Sequence, residues 1–507
     1  MDTTASTLPG RAVGLAALRI PRAALIVAPF LALIACTFWL SQTDPDYWWH
    51  LRTGQLILET GQLPRTDPFS FTSGGAPWVT HEWLTEVIFA LIDRQFGYVG
   101  NVVFCALLGA GASLAVWATA RERGLGAQAA TLLMLWAYAI MLPLTNVRPQ
   151  MITMLLLAVT MLLLTRYLNG ATRAIWLLPP LLLLWVNLHG GYVIGLVMIG
   201  LTIVGEGIAL ALGRPVANLR TLILAAIGAG LATLLSPNGI EALRYPFTYA
   251  GTGNASQRFI AEWQSPDFHQ GTFLPLAASL ILGLLVGYRR DRWRPSELLW
   301  VATLALMALQ STRHAPLYAI VTLPLLGARL SEILPGWPRR LERLRPTLSA
   351  ALPLFGWAFA VVGLGALLLG SGSLPLQTGR EPLADGYPAE GTAYLQAHPE
   401  LTGNLFNTYA WGGYLIDQLY PERRVFIDGR ADVHGDALVT SARATERLAP
   451  EWRANLDRWD IRLVLVEKDS PLATALRDDP AWHEVLEGKA ERLFVKSGKW
   501  EVTHPKQ

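Results

Sequence analysis

Cysteine, lysine and charge of either sign are all scarce in this chain. Its two cysteines, Cys36 and Cys105, both fall inside apolar segments, so the sequence carries neither a disulfide framework nor a zinc-type spacing. Only 16% of the 507 residues are charged, against 52% hydrophobic, and the mean hydropathy is +0.34. That balance excludes a soluble protein of two or three domains. The net charge of +3 comes from arginines spread between apolar segments rather than gathered in a patch, so no nucleic-acid partner is expected. Internal repeats and low-complexity tracts are also missing.

What fills the chain is a series of about eleven apolar segments of the length that crosses a bilayer. They run over 22–40, 99–119, 126–144, 150–166, 174–187, 191–212, 219–235, 272–288, 296–310, 316–333 and 349–370. The segment 174–187 is short and reads as tilted or broken. Arginines collect in every second connection: Arg121 and Arg123, Arg166 and Arg173, Arg214 and Arg220, Arg289 to Arg294, and Arg339 to Arg345. The positive-inside rule makes those connections cytoplasmic, together with the chain start at Arg11, Arg19 and Arg22. The first apolar stretch has no small-residue cleavage site before the acidic loop that follows and reads as a retained span.

An odd number of spans leaves the C-terminus outside. Residues 371–507 hold every lysine of the chain and no stretch long enough to cross, which marks a soluble extracytoplasmic α/β domain. Residues 425–427 and 462–466 look like short buried strands, and 438–456 looks helical. The expected organisation is a transmembrane domain over 1–370, with long outer loops at 41–98 and 236–271, followed by the outer domain. The expected location is a bacterial cytoplasmic membrane.

The outer loops carry the reactive side chains. The first begins Asp44-Pro-Asp46-Tyr-Trp-Trp-His50-Leu-Arg52 and continues to Asp67-Pro-Phe-Ser, Trp78, His81-Glu82-Trp83 and Glu86. Two carboxylates two residues apart suit a hard divalent cation such as Mg or Mn, or a proton taken from a hydroxyl. The same pair would also serve to cap a helix over 46–59 lying along the membrane surface. Other outer loops bring Asn146, Arg148, Asn187, His189, Arg313, His314 and, within 236–271, Arg258, Glu262, Trp263 and His269. Arg148 and Arg313 break the positive-inside trend, which points to a local use such as gripping a phosphate or pairing with an acid. His189 in a Leu-rich setting reads first as a hydrogen-bonded packing residue. Glu206 sits in the inner half of its span and reads as a partner for a neighbouring helix.

The acidic first loop directly after the first span resembles that of the C-type (GT-C) glycosyltransferases, polytopic enzymes that take a sugar from a polyprenyl-phosphate carrier. The string Asn407-Thr-Tyr-Ala-Trp411-Gly-Gly-Tyr, followed by Val-Phe-Ile-Asp428-Gly-Arg430, is loosely similar to the segment opening the soluble domain of the oligosaccharyltransferase catalytic subunit. The whole pattern also resembles a group of bacterial membrane proteins with this first loop and a Val-Phe-Ile-Asp-Gly-Arg segment. The resemblance implies a GT-C-like α-helical polytopic fold and inverting transfer of a hexose or pentose to a glycan, lipid or protein acceptor.

By the same resemblance Asp46, with Asp44 as the alternative, is the first-loop acid. Glu262 is the loop glutamate that shares a metal with Asp46, and Arg313 or Arg148 holds the carrier phosphate. His50, Arg52, His81, Glu82, Asn187, His189, His314, Trp411, Asp428 and Arg430 line the substrate region. Gly412 stands where the oligosaccharyltransferase motif has Asp, and a second acidic pair is missing from 145–149. A transporter or flippase, or a non-catalytic scaffold of envelope polysaccharide assembly, are the other classes. The scarcity of charge inside spans and the lack of an inverted repeat speak against the carrier.

Overall fold

The computed structural model describes residues 22–38, 44–246, 255–287, 293–334 and 386–497. The expected span 349–370, the arginines before Pro21 and most of the arginines at 289–294 and 339–345 lie outside the described residues. Helices α1 (Arg22–Thr37), α3 (Trp83–Glu122), α4 (Ala127–Met141), α5 (Gln150–Leu168), α6 (Leu178–Leu188), α7 (Tyr192–Ala211) and α8 (Leu219–Thr233) fall where the apolar segments are. So do the helices Leu274–Gly287, Pro295–Gln310 and Ala315–Ile333. By length and composition, four helical stretches among the described residues suffice to cross a membrane: Trp83–Glu122, Ala127–Leu144, Gln150–Leu168 and Tyr192–Ala211. Five more apolar helices are shorter, so a count of eleven crossings exceeds what the described helices establish.

Two helices depart from the expected bounds for local reasons. Helix α3 is two helical stretches joined at a kink at Gly97 (φ 62°, ψ −165°), a positive-φ conformation that glycine adopts without strain. The second stretch begins near the expected start at 99, and the first, from Trp83, precedes it. The short segment after Arg173 begins as a 3₁₀ turn, Thr172–Leu177. Two prolines in the first turn of α6 then set its start, where a missing N–H costs nothing.

The helix expected over 46–59 forms, as α2 (Tyr47–Thr60), and much of it is covered by protein. Tyr47 to Gly54 are buried, packed between α3 and the helix Gly412–Leu419. A Cβ on Gly54 would fall 1.9 Å from the Glu86 carbonyl oxygen, so only glycine permits this approach of α2 to α3.

The C-terminal unit holds a four-stranded sheet in the order β1-β2-β4-β3. Strands β1 (Asn404–Asn407) and β2 (Ile461–Glu467) pair in parallel, while β4 (Glu491–Lys496) runs antiparallel to both β2 and β3 (Trp482–Glu487). The strand expected at 462–466 is the centre of β2. The one expected at 425–427 is instead an isolated parallel bridge, Val425 to Ser70 of the first loop. Helices Ala431–Glu446 and Trp452–Arg458 replace the single helix expected at 438–456, and the stretch between them includes Pro450. The apolar core is continuous from the helices through α2 into this unit. Trp48 meets Tyr414 edge-on at 5.2 Å and Tyr387 at 5.8 Å, contacts worth about 0.5–1.5 kcal/mol each beyond burial.

Candidate functional site

The residues expected at the site converge at one end of the helices, where α3 and α5 begin and where α6 and Pro295–Gln310 finish. At the opposite end lies a separate ion network: Glu297 with Arg123 and Arg329 at 2.6 and 2.5 Å, and Glu206 with Arg294 at 3.5 Å. Glu206 thus pairs with the N-terminal end of a neighbouring helix, at the opposite end of the helices from the site.

Asp46 occupies the N-cap position of α2, yet its side chain makes no capping hydrogen bond. Its Oδ1 accepts from Trp49 Nε1 at 3.1 Å and its Oδ2 faces Arg148 Nη2 at 2.5 Å. Asp44 closes a local turn by accepting from the Asp46 backbone N–H at 2.9 Å, and its other oxygen accepts from Asn146 Nδ2 at 2.5 Å. Arg148 stands just before the start of α5, in Asn146-Val-Arg-Pro, and reaches Asp44 at 3.5 Å and Glu262 at 3.0 Å as well. Arg313 holds the other Glu262 oxygen at 2.8 Å and lies 5.0 Å from the centre of the Trp263 ring. The Glu262 carbonyl accepts from Ser311 Oγ at 2.9 Å, which pins the long loop to the turn bearing Arg313.

Three carboxylates and two guanidiniums thus share one small volume. Burial pushes Asp44 up to about 6 against the pull of Arg148, with Asp46 adding to the rise. Burial also raises Asp46 above its ordinary value, again against Arg148. Burial acts against the charge of Glu262 too, but Arg313 and Arg148 hold it below the usual range. Arg148 keeps its charge despite burial because Asp44, Asp46 and Glu262 surround it. The group with most contact to solvent is Arg313, its side chain 29% exposed.

Asp46 and Glu262, the metal pair implied by the sequence resemblance, each give an oxygen to Arg148. A divalent cation between them would have to displace this guanidinium. A different set of groups, His50, Glu82 and Glu86, brings one ligand atom each within 4.8 Å of the others. His50 Nδ1 lies 3.1 Å from Glu86 and its Nε2 3.3 Å from Glu82. His189 Nε2 lies 3.0 Å from the second Glu82 oxygen, and His81 Nε2 3.5 Å. Burial drives His50 down to about 3 despite Glu82. His81 is raised, because Glu82 overcomes its burial. The ring of Tyr245 stacks on His81 at 4.2 Å.

The other expected residues are placed around these two clusters. Asn187 bridges Trp83 Nε1 (3.1 Å) and the Leu183 carbonyl (2.8 Å). His314 lies on the Met307 carbonyl at 3.3 Å. Arg52 turns away to Glu59 at 2.8 Å and to the Tyr420 ring. Trp411 donates to the Gly386 carbonyl at 2.9 Å. Asp428 and Arg430 form a third, fully buried group with Asp67 of the first loop, at 2.6 and 2.8 Å. Their segment fastens the C-terminal unit to the first loop.

Sequence reasoning passed over the residues that shape the acid cluster from outside. A Cβ on Gly429 would fall 1.9 Å from Asp46 Oδ1, and one on Gly413 would fall 2.5 Å from the Pro45 carbonyl oxygen. Both glycines sit in motifs the sequence singled out, Trp-Gly-Gly and Ile-Asp-Gly-Arg, where a close backbone approach is the usual reason for glycine. Trp49, which holds one Asp46 oxygen, carried no comparable signal, whereas Asn146, which holds Asp44, stood among the polar loop residues of the sequence.

Neither a protein-family model nor a curated protein matches the sequence. Solved structures do. An archaeal oligosaccharyltransferase, AglB from Archaeoglobus fulgidus, in complex with an inhibitory peptide and a dolichol-phosphate, matches at 14% identity. The match covers 88% of this chain and 69% of that one, with a TM-score of 0.57. The arabinofuranosyltransferase AftD from Mycobacteria matches at 16% identity over 94% of this chain and 40% of its own, with a TM-score of 0.50. ArnT from Cupriavidus metallidurans in the apo state matches at 14% identity over 93% and 96%, also at 0.50. The chain has the fold these GT-C glycosyltransferases share, and with its apolar helices it is a multi-pass membrane protein.

Proposed function

We propose that this chain is a membrane glycosyltransferase that moves a sugar from a polyprenyl-phosphate carrier to an envelope glycan, lipid or protein acceptor, with inversion, at the outer face of a bacterial cytoplasmic membrane. The observation that carries this reading is the cluster itself: Asp44, Asp46 and Glu262 held by Arg148 and Arg313 at one end of an apolar helix bundle. The outer unit closes over it, with Gly429 against Asp46. The archaeal oligosaccharyltransferase of the same fold was solved with a dolichol-phosphate.

In this reading the acceptor hydroxyl lies against Asp46, with Asp44 as the alternative acid. Its oxygen bonds to the anomeric carbon as the bond from that carbon to the phosphate oxygen breaks. The hydroxyl proton passes to the carboxylate, whose raised affinity for protons suits it to that task. The carrier leaves as a phosphate dianion, and its growing charge falls to Arg313, with Arg148 beside it. A lipid donor also explains why the site is built at the end of an apolar bundle.

Between Asp46 and Glu262 the positive charge is supplied by the Arg148 guanidinium, with Arg313 on the far side of Glu262. The test is a mixture of extracted lipid-linked sugars added to purified protein in lipid nanodiscs. Release of free polyprenyl phosphate, seen by mass spectrometry with the wild type and not with Asp46→Asn, supports the reading. Net movement of intact lipid-linked sugar across sealed vesicles, with no carrier released, would replace it with the flippase.

A further inference from the structure

Helix α2 and the start of α3 meet beside the acid cluster and bring together three side chains of metal-ligating type. His50 comes from α2, Glu82 and Glu86 from the start of α3, and all three are buried. Both ring nitrogens of His50 face a carboxylate oxygen, Nδ1 to Glu86 at 3.1 Å and Nε2 to Glu82 at 3.3 Å. A neutral imidazole has one N–H to give, so the second of those contacts needs either a proton on the facing carboxyl or a cation between the two groups. Glu86 Oε2 is buried without a hydrogen-bond partner, on a residue only 1% exposed. Leaving a carboxyl oxygen in that state is costly unless a proton or a cation sits on it.

The surrounding groups orient the set as metal ligands are usually oriented. His189 Nδ1 accepts from the Gly191 N–H at 2.8 Å, which puts the His189 proton on Nε2, facing Glu82 Oε1 at 3.0 Å. Thr153 Oγ1 stands 2.7 Å from the same Nδ1 and accepts from Trp185 Nε1 at 3.0 Å. Glu82 therefore keeps one oxygen on His189 and turns the other toward His50, the outer-shell support that fixes a ligating carboxylate.

We infer that His50, Glu82 and Glu86 form a binding site for one divalent first-row metal ion, zinc above all, distinct from the Asp44, Asp46, Glu262 and Arg148 cluster. One imidazole nitrogen and two carboxylates are a donor set for zinc or its neighbours rather than for calcium. The ion ties the start of α3 to α2 one turn beyond Asp46, where the His50 N–H donates to the Asp46 carbonyl at 3.2 Å. Its consequence is positional: it sets the helix end from which Asp46 projects. The inference does not depend on the transfer reaction, because metal content is read without any substrate.

The experiment is elemental analysis of the full chain purified in detergent without chelators, then dialysed against zinc. Wild type and Asp46→Asn should each hold about one equivalent, and Glu86→Gln and His50→Gln should bind at least about tenfold more weakly. Wild type with no stoichiometric metal, or both variants retaining it unchanged, overturns the site. Should those variants fail to fold, cobalt(II) titration of wild type decides. Visible bands saturating at one equivalent support the site, and their absence overturns it.

Discussion

Asp46 Oδ2 and Arg148 Nη2 lie 2.5 Å apart, joining the loop after α1 to the turn before α5 across 102 residues of chain. The contact explains why an acid at a helix start does not cap its helix. The Asp46 carboxylate is turned inward, to Arg148 and Trp49, and is available to a substrate only where those two groups leave it open.

Removing the cation should therefore damage more than charge balance. Arg148→Met leaves Asp44, Asp46 and Glu262 with Arg313 alone, and breaking a buried pair in this way costs about 3–5 kcal/mol. A clear fall in thermal midpoint, together with lost activity, is the expected result. Arg148→Lys should restore part of the midpoint but less of the activity, because lysine cannot make the forked contact to two acids.

The acid limb of the pH profile should belong to the carboxylates. With Asp44 held near 6, it is half protonated at that pH, so a rate needing the ionised cluster rises as pH increases through about 6. Stability runs the other way. A carboxyl whose folded value lies above its unfolded value of 3.8 stabilises the fold fully below that value, and the contribution fades as pH climbs from about 4 to 6. Asp44→Asn should flatten both trends, and a stability curve identical to wild type over that window would contradict the assignment.

Gly429 should tolerate no side chain. In Gly429→Ala the new Cβ would overlap Asp46 Oδ1, displacing either the acid or the C-terminal unit. A shift of this kind is worth about 100-fold in rate, measured against Gly435→Ala, whose Cβ would meet nothing within 4 Å but whose φ of +70° makes it a control for backbone strain alone.

The buried group of Asp67, Asp428 and Arg430 should matter for docking rather than chemistry. Arg430→Met strands two carboxylates and should cost about 3–5 kcal/mol. Limited proteolysis should then release the C-terminal unit at protease levels that leave wild type intact. Unchanged resistance would show that the contact of Trp48 with Tyr387 and Tyr414 suffices to hold it.

Most of the helical layout was legible because apolar length is a local property: ten of the expected segments contain a described helix. The early start of α3 was not, since residues 83–96 include Glu86, Asp93 and Arg94 and become helical by packing on α2. The inward turn of α2 was hidden for the same reason, because aromatic residues suit a membrane interface and a buried junction equally well. Arg148 and Arg313 were legible as anomalies of sidedness, though not their shared grip on Glu262, which depends on a loop 114 residues further on from Arg148. His50, His81, Glu82 and His189 were each visible as polar groups. Their convergence, and the part of Glu86 in it, required the fold.

The central claim is lipid-dependent sugar transfer through Asp46. The most direct test is mass spectrometry of lipid extracts and surface glycans from cells carrying the wild type, Asp46→Asn at equal expression, or no protein. The account predicts that both altered strains accumulate one polyprenyl-phosphate sugar and lack one glycan residue. A changed profile in the deletion alone, with Asp46→Asn matching wild type, would contradict it.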